Sequence, residues 1–235
     1  MNIILFDRLS ESIPLSDRRA VHILKVLRLK EGDSFFCGVV RGSCYKARID
    51  KITATEIFLS YSDEKEDGFS YPLTLIIGEV RPICMRRILR EVTSLGARKL
   101  VLTLTEKGEK SYHEASLYKS GEYKEILVDG AMQAGCTYIP EVIFASSVKE
   151  AVKHAESDEK ILLDNIIGSV RLSDMTLEGK SVTIAIGSER GFSDNERNAF
   201  LSSGFTAALI GNRILRTETA CVAATALALE RMNIL

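Results

Sequence analysis

Two stretches of the sequence decide the fold class: Ile186-Gly-Ser-Glu-Arg-Gly-Phe-Ser193 and Leu209-Ile-Gly-Asn-Arg-Ile-Leu-Arg-Thr-Glu-Thr-Ala220. Each follows a short apolar run that predicts a β-strand, and each leads into a predicted helix. In an open α/β sheet, ligands bind at the carboxyl ends of the strands, where glycines let backbone amides come close. The two stretches therefore predict a ligand pocket, and their spacing is neither that of a dinucleotide fold nor that of a Walker loop.

The chain around these stretches alternates apolar runs with helical periods from Pro72 onward, which predicts βαβ units and a mostly parallel sheet. The predicted strands are Leu73–Ile77, Leu100–Leu104, Glu141–Phe144, Ile161–Leu163, Val182–Ile186 and Ala207–Ile210. The predicted helices are Met85–Leu95, Tyr118–Gln133, Val148–Ala155, Asp194–Leu201 and Glu218–Met232. Ser147 with Glu150 and Ser193 with Glu196 form predicted capping boxes. The last helix is apolar on almost every side, so we expect it to be buried in the core or against another subunit.

The first part of the chain has a different pattern, which predicts short strands around one helix. Ser16 is the expected cap of a helix that runs to about Leu29. Strands are predicted at residues 34–40, 45–52 and 56–61, as in a small antiparallel barrel. The polar, mostly acidic residues 62–68 then mark the expected boundary between a domain at 1–68 and a domain at 72–235.

The composition is that of a globular protein: 46% of the residues are hydrophobic, 27% are charged and the net charge is −1. No apolar run is long enough to cross a membrane and no signal peptide is visible, so a cytoplasmic location is expected. The five cysteines include no C-x-x-C pair, and the three histidines are far apart, so no metal site is predicted.

Two segments are basic within this neutral chain. Residues 16–51 carry nine basic and four acidic side chains, and residues 81–99 carry six basic side chains and one acidic one. Phosphate binding requires such segments, although a solvated helix face produces the same pattern.

The stretch Asn212-Arg-Ile-Leu-Arg-Thr-Glu-Thr-Ala220 resembles the signature of the ribosomal small subunit methyltransferase E family, and Ile186–Ser193 is similar to the glycine loop of that family. The resemblance continues upstream at His22–Arg28, Thr93–Gly96 and Gln133–Pro140. It therefore spans nearly the whole chain in the family's order.

This resemblance implies an N-terminal PUA-like β-barrel and a C-terminal SPOUT domain, an α/β domain whose last strands and helix form a deep trefoil knot. It also implies S-adenosyl-L-methionine (SAM) as cofactor, held in a bent form by the knot loops of a homodimer. The cofactor-binding residues implied by matching position are Leu163, Gly187, Glu189, Gly191, Leu209, Gly211, Arg213, Ile214, Leu215 and Thr219.

The family reaction places the methyl group on N3 of a uridine in 16S ribosomal RNA, so this RNA or the small ribosomal subunit is the implied partner. N3 carries a proton that has to leave, and Arg216 is the candidate catalytic residue that stabilises negative charge on a uracil carbonyl. Glu189 and Glu218 serve either in proton transfer or only as helix caps. The candidate RNA-binding residues are Arg18, Arg19, Lys25, Arg28, Arg86, Gln133 and Arg190.

The sequence departs from the family pattern mainly on the substrate side. Cys136 stands where the family has an arginine that we expect to face RNA, and Met132 precedes Gln133 in place of the family's Glu. Ser94 replaces another Glu, Ser188 and Arg190 replace Pro and Gly, and Asn212 replaces a frequent Pro. Two alternatives therefore stay open: another SPOUT methyltransferase acting on RNA or tRNA, and a non-catalytic RNA-binding factor in ribosome assembly.

Overall fold

The computed structural model describes residues 3–235, and the chain folds into two compact units. The first unit runs to Phe69 and also includes Ala131–Ile139, while the second consists of Ser70–Gly130 and Pro140–Leu235. The domains predicted at 1–68 and 72–235 differ from these units in one segment, because residues 131–139 were expected in the second domain. The domain division stays a prediction.

The first unit is a curled five-stranded sheet with one short helix. Its elements are β1 (Ile4–Phe6), β2 (Ser12–Pro14), α1 (Arg18–Val21), β3 (Ser34–Val39), β4 (Cys44–Ile52) and β5 (Glu56–Lys65). The strand order is β1-β3-β4-β5-β2; β1 is parallel to β3, and the other neighbours are antiparallel. Side chains from alternate strand positions and from the helix fill the core, as an antiparallel sheet with one solvated face requires.

The segment Ala131–Ile139 is held in the first unit by buried polar contacts. Thr137 donates its backbone N–H to Asp67 Oδ2 at 2.9 Å and its hydroxyl to the carbonyl oxygen of Gly42 at 2.6 Å. A side chain at Gly38 would be 2.4 Å from the Thr137 methyl group, so the glycine permits this close packing. Cys136 is half-buried, and its thiol points at Asp67 and at the carbonyl oxygen of Phe69.

The predicted helix from Ser16 to Leu29 is wrong at both ends. Asp17 rather than Ser16 caps α1, because its carboxylate accepts the backbone N–H of Arg19 at 2.8 Å. The helix continues as a π-helical turn over His22–Val26, and Arg28 has a φ of +56°, a left-handed conformation that stops the helix. The predicted strands 34–40, 45–52 and 56–61 correspond to β3, β4 and β5, of which β5 is longer because it continues to Lys65.

The second unit is a seven-stranded sheet with helices. Its strands are β6 (Tyr71–Gly78), β7 (Ala97–Thr103), β8 (Glu141–Ala145), β9 (Glu159–Leu163), β10 (Val170–Arg171), β11 (Val182–Ile186) and β12 (Thr206–Leu209). Its helices are α2 (Pro82–Ser94), α3 (Ser116–Lys119), α4 (Glu122–Ala134), α5 (Val148–Ala151), α6 (Asp194–Ser202) and α7 (Thr217–Arg231), and the last turn of α4 enters the first unit. Short 3₁₀ turns lie at Lys110–Tyr112, Val152–His154 and Leu172–Asp174.

The strand order is β10-β12-β9-β11-β6-β7-β8, and all neighbouring strands are parallel. Parallel strands are covered on both faces, and accordingly all five residues of β11 are buried. The predicted α/β class with a mostly parallel sheet is therefore confirmed. The six predicted strands of this sheet are present, Val182–Ile186 with the predicted ends and the other five with shifted ends, and the two-residue β10 was missed. The trefoil knot stays a prediction.

Two predicted helices are interrupted in the structure. The helix expected at Tyr118–Gln133 is divided into α3 and α4 by Gly121, whose φ of +77° favours glycine. Of the helix expected at Val148–Ala155, the first four residues form α5, and Val152–His154 form a 3₁₀ turn. The Ser193–Glu196 capping box is confirmed, with both reciprocal bonds present. Of the predicted Ser147–Glu150 box, one bond is present, since the Ser147 hydroxyl accepts the backbone N–H of Glu150. The reciprocal bond is wrong, because the Glu150 carboxylate accepts from Ser146 instead of from the Ser147 N–H.

The final helix α7 is covered on one face by its own chain. Cys221, Ala224, Ala228 and Leu229 are buried, whereas a second row, namely Val222, Ala223, Ala226 and Leu227, is only half-buried. The expected burial is therefore found for one side of the helix. Within residues 3–235, no helix is long and apolar enough to cross a membrane.

Candidate functional site: a cleft at the carboxyl edge of the sheet

A cleft of about 670 Å³ lies in the second unit where β9, β11 and β12 end. Its wall consists mainly of the residues that follow these strands: Asp164–Ile166, Gly187–Phe192 and Arg213–Glu218. Arg81 and Cys84, at the start of α2, complete it. Its position agrees with the general rule that ligands of open α/β sheets bind at the carboxyl ends of the strands. Its volume is within the range of small-molecule sites, about 300–1,000 Å³.

The loop after β11 folds back on itself so tightly that glycine is required. A side-chain carbon at Gly187 would lie 2.9 Å from the Cα of Gly191, and Gly191 has a φ of +65°. Two further contacts fix the loop: the hydroxyl groups of Ser188 and Thr105 are 3.0 Å apart, and Thr217 donates its hydroxyl to the carbonyl oxygen of Gly187 at 3.1 Å. The loop is therefore rigid and offers its backbone groups to the cleft.

A buried ion pair orders the loop after β9. Asp164 Oδ1 accepts the backbone N–H groups of Ile166 and Ile167, and Asp164 Oδ2 accepts from Arg197 Nε at 2.8 Å. Burial opposes the charge of Arg197, but Asp164 and then Asp194 outweigh burial, so the pKa of Arg197 is raised. The pair therefore joins α6 to the cleft wall.

Three arginines on the cleft wall have no acidic partner within residues 3–235: Arg190, Arg213 and Arg216. Arg216 is the N-cap residue of α7, and its side chain makes no capping bond. Ile214, which lies between Arg213 and Arg216 in the sequence, is 84% exposed, more than any other large apolar side chain of the described residues. This part of the wall therefore presents positive charge and one exposed apolar group.

Besides Asp164, two further carboxylates line the cleft, and their surroundings differ. Glu189 Oε1 accepts the backbone N–H of Arg81 at 3.1 Å, just before α2 begins. Glu218, in the first turn of α7, accepts from the thiol of Cys84 at 3.6 Å. Burial, and then Glu218, raise the pKa of Cys84, so this cysteine is a protonated thiol rather than a nucleophile. No cluster of metal-binding side chains occurs among the described residues.

Most of the residues singled out from the sequence as cofactor ligands lie on the cleft wall. Eight of the ten line it, and the two that do not are Gly211 and Thr219. The hydroxyl that contacts the glycine loop belongs to Thr217, two positions before the expected threonine. Arg216 lies on the wall as expected, whereas Asp164 and Arg197 were missed. A lone acid and a lone arginine in separate segments give no sequence signal of a pair.

The candidate RNA-binding residues are more scattered. The side chain of Arg19 is half-buried, donates two hydrogen bonds to Asp17 and lies 4.9 Å from the centre of the Phe6 ring. Arg86 is similarly bound to Glu122 by two hydrogen bonds. The remaining candidates are exposed: Arg18, Lys25, Arg28, Gln133 and Arg190.

Comparisons with known proteins agree with this geometry. A family model described as an RNA methyltransferase domain matches residues 68–229, and one described as an RNA methyltransferase PUA domain matches residues 15–60. The chain thus belongs to the RNA methyltransferases with a PUA domain.

Two curated relatives narrow this class. The chain is 39% identical to ribosomal RNA small subunit methyltransferase E of Treponema pallidum, over 99% of this chain and 92% of that protein. It is 32% identical to ribosomal RNA small subunit methyltransferase E 1 of Borreliella burgdorferi, over 99% of both chains. The protein is a member of the ribosomal RNA small subunit methyltransferase E family. A solved structure of the Neisseria gonorrhoeae enzyme of this name, bound to S-adenosyl methionine, shares the fold, with a TM-score of 0.79, 23% identity and coverage of 98% and 97% of the two chains.

Proposed function

We propose that this protein transfers a methyl group from SAM to N3 of a uridine in small-subunit ribosomal RNA, which also implies the expected cytoplasmic location. The observation that carries this proposal is the cleft, which combines a tight glycine loop, two further loops at the strand ends and unpaired arginines. The relatives named above carry small-subunit ribosomal RNA in their names, and the Neisseria enzyme was solved with SAM bound.

The cleft residues fit SAM. The apolar side chains of Leu163, Ile186, Leu209 and Leu215 provide a surface for an adenine ring, and the glycine loop offers backbone groups for polar recognition. A Cβ at Gly191 would meet nothing within 4 Å, so a ligand can come close to the backbone there. When bound, SAM supplies a methyl group from its sulfonium, and both electrons of the broken carbon–sulfur bond stay on sulfur.

The target base has to leave its stack, because N3 lies on the Watson–Crick edge. Negative charge then develops on the uracil carbonyl oxygens as N3 loses its proton. We assign Arg216 to the stabilisation of this charge, because its guanidinium lies on the cleft wall and no carboxylate of the described chain neutralises it.

RNA binding outside the cleft is assigned to exposed basic residues. In the first unit, Arg18, Lys25 and Arg28 are exposed around α1 and its π turn, within the segment matched by the PUA family model. Arg190 extends the basic surface at the cleft. Arg19 and Arg86 contribute less, since Asp17 and Glu122 already neutralise them.

A homodimer is the proposed assembly. The half-buried row of α7 and the 84% exposed Ile214 are apolar surfaces that one chain leaves incompletely covered. A second copy that packs against α7 would cover both at the edge of the cleft. The cofactor pocket would then lie near the interface of the two subunits.

The alternatives predict different products. A SPOUT methyltransferase acting on tRNA would bind SAM but leave the small-subunit RNA unmodified, and a non-catalytic assembly factor would bind RNA without turnover. The intact cleft favours turnover. Cys136, which prompted the non-catalytic alternative, is a half-buried thiol in the first unit and removes no group from the cleft wall.

The decisive experiment combines binding with product mapping. Calorimetry should show SAM binding by the purified protein, and incubation with small ribosomal subunits from cells lacking the gene should restore one methyl group. Mass mapping of the ribosomal RNA should place this group on uridine N3. Methylation of tRNA alone, or RNA binding without any methyl transfer, would refute the proposal.

A further inference from the structure

Glu79 is a buried carboxylate that the proposed mechanism does not yet use. It follows β6 directly, is 2% exposed and contacts Nδ1 of His113 at 2.8 Å. Its second oxygen, Oε2, is buried and has no hydrogen-bond partner within the described chain. Burial raises the pKa of Glu79, while the contact with His113 acts in the opposite direction. An incompletely satisfied buried carboxyl group is costly, which points to a role beyond joining two segments.

The carboxyl group orients the imidazole of His113. An ionised carboxylate only accepts hydrogen bonds, so Nδ1 of a neutral His113 carries the hydrogen and Nε2 keeps a free electron pair. The ring is held further by Phe144 and Tyr118, whose ring centres lie 6.2 Å and 6.4 Å away. His113 is nevertheless 36% exposed, so its free nitrogen is accessible from outside the unit.

The other ionisable groups around His113 do not replace it as a proton acceptor. Burial raises the pKa of Tyr118, so this phenol stays neutral, and its buried hydroxyl also lacks a partner within residues 3–235. Glu114 is exposed and bound to Lys119, and Arg86, beyond Tyr118, is bound to Glu122. Among these neighbouring groups, His113 is the one that combines a buried orienting carboxylate with an accessible basic nitrogen.

The pair lies beside the cleft. Two residues after Glu79, Arg81 lines the cleft, and two residues of chain span at most about 7 Å. An interaction with the side chain of Tyr112, the neighbour of His113, raises the pKa of Arg81. The segment that carries His113 is therefore connected to the cleft edge through Arg81 as well as through Glu79, on the side of Glu189.

We propose that His113, oriented by Glu79, accepts the N3 proton of the target uridine. The proton passes from N3 to Nε2 of His113, and the electron pair of the former N–H bond forms the new bond to the methyl carbon. The adjacent carboxylate of Glu79 stabilises the imidazolium, which afterwards returns the proton to water. This inference rests on the proposed N3 methylation and assigns the base that it requires.

The test compares His113→Gln with His154→Gln, a matched change at a histidine elsewhere in the same unit. Single-turnover methylation by His113→Gln should be slower by about 100-fold or more at neutral pH. The deficit should shrink as the pH rises toward the range where the uracil imide ionises unaided. Glu79→Gln should show a smaller deficit of the same pH dependence. SAM affinity and RNA affinity should stay at wild-type values in both variants, and thermal unfolding should show that both are folded.

A readout independent of turnover is the ring-proton NMR signal of His113, assigned by its loss in His113→Gln. It should shift when an RNA fragment with the target uridine is added, and it should shift less with cytidine at that position. A wild-type rate for His113→Gln, a deficit that is equal at every pH, or an unmoved NMR signal would each overturn the inference. If wild-type protein leaves uridine N3 unmethylated, the proposed function fails first, and the assignment of the base fails with it.

Discussion

Replacing Asp164 by Asn should destabilise the second unit through the loss of one buried charge. The Asn side chain has nearly the same shape and still accepts the backbone N–H groups of Ile166 and Ile167 through Oδ1. Arg197, only 6% exposed, would keep Asp194 as its single partner, and that partner is 93% exposed. Breaking a buried pair by removing one member costs about 3–5 kcal/mol, and the remaining bond to Asp194 places the expected loss near the lower end, at about 3 kcal/mol.

The assay is urea unfolding, followed by a probe of the second unit and checked for a constant slope. The matched control is Asp194→Asn, which removes the exposed partner of the same arginine and should cost less than about 1 kcal/mol. The double change Asp164→Asn with Arg197→Met should recover most of the loss, because no unpaired charge is left buried and the Asn oxygen still accepts the backbone N–H groups of Ile166 and Ile167. Equal effects of Asp164→Asn and Asp194→Asn would contradict the description of Asp164–Arg197 as a buried pair.

Three further predictions concern ligands and assembly. Gly187→Ala should lower stability and abolish SAM binding, because its methyl group would collide with the glycine loop. Gly211→Val should keep the fold, because nothing lies within 4 Å of a Cβ at that position, and it should lose SAM affinity, because Ile210 and Arg213 on either side of it line the cleft. Calorimetry beside thermal unfolding separates the two effects, and unchanged SAM affinity of Gly211→Val would remove that loop from the site. Lys25→Ala with Arg28→Ala should weaken RNA binding and reduce the salt slope of log affinity by ~0.7–0.9 for each lost phosphate contact, with unchanged SAM affinity; an unaltered slope would make this surface irrelevant to RNA. Leu227→Glu should convert a dimer to a monomer in sedimentation at micromolar concentration, and a monomeric wild-type protein that methylates RNA would exclude the proposed assembly.

Local sequence signals predicted the features that depend on neighbouring residues. The Ser193–Glu196 capping box and the tight glycine loop at Gly187 follow from backbone chemistry within a few positions, and both are present. The alternation of strands and helices gave the α/β class for the same reason. The position of Gly121 between α3 and α4 was visible in the sequence, but an apolar helical pattern on both sides concealed the break.

Features that depend on distant residues could not be predicted in this way. The contact of Arg197 with Asp164 joins residues 33 positions apart, and the bond of Glu79 to His113 joins residues 34 positions apart. No spacing rule connects such pairs. No local signal likewise links residues 131–139 to the first unit, because their hydrogen-bond partners lie 70 or more residues earlier.

The position of Ala131–Ile139 in the first unit bears on how the protein is made. When Phe69 leaves the ribosome, the N-terminal barrel of the nascent chain is still incomplete, because Asp67 and Gly42 lack Thr137, their hydrogen-bond donor. About 70 further residues have to be synthesised, which takes roughly 4 to 14 seconds at ~5–20 residues per second. During that interval the barrel lacks the segment Ala131–Ile139 that packs with it, so chaperone binding or proteolytic cleavage should be most frequent at this stage of synthesis. A fragment cut at Phe69 would keep that defect permanently.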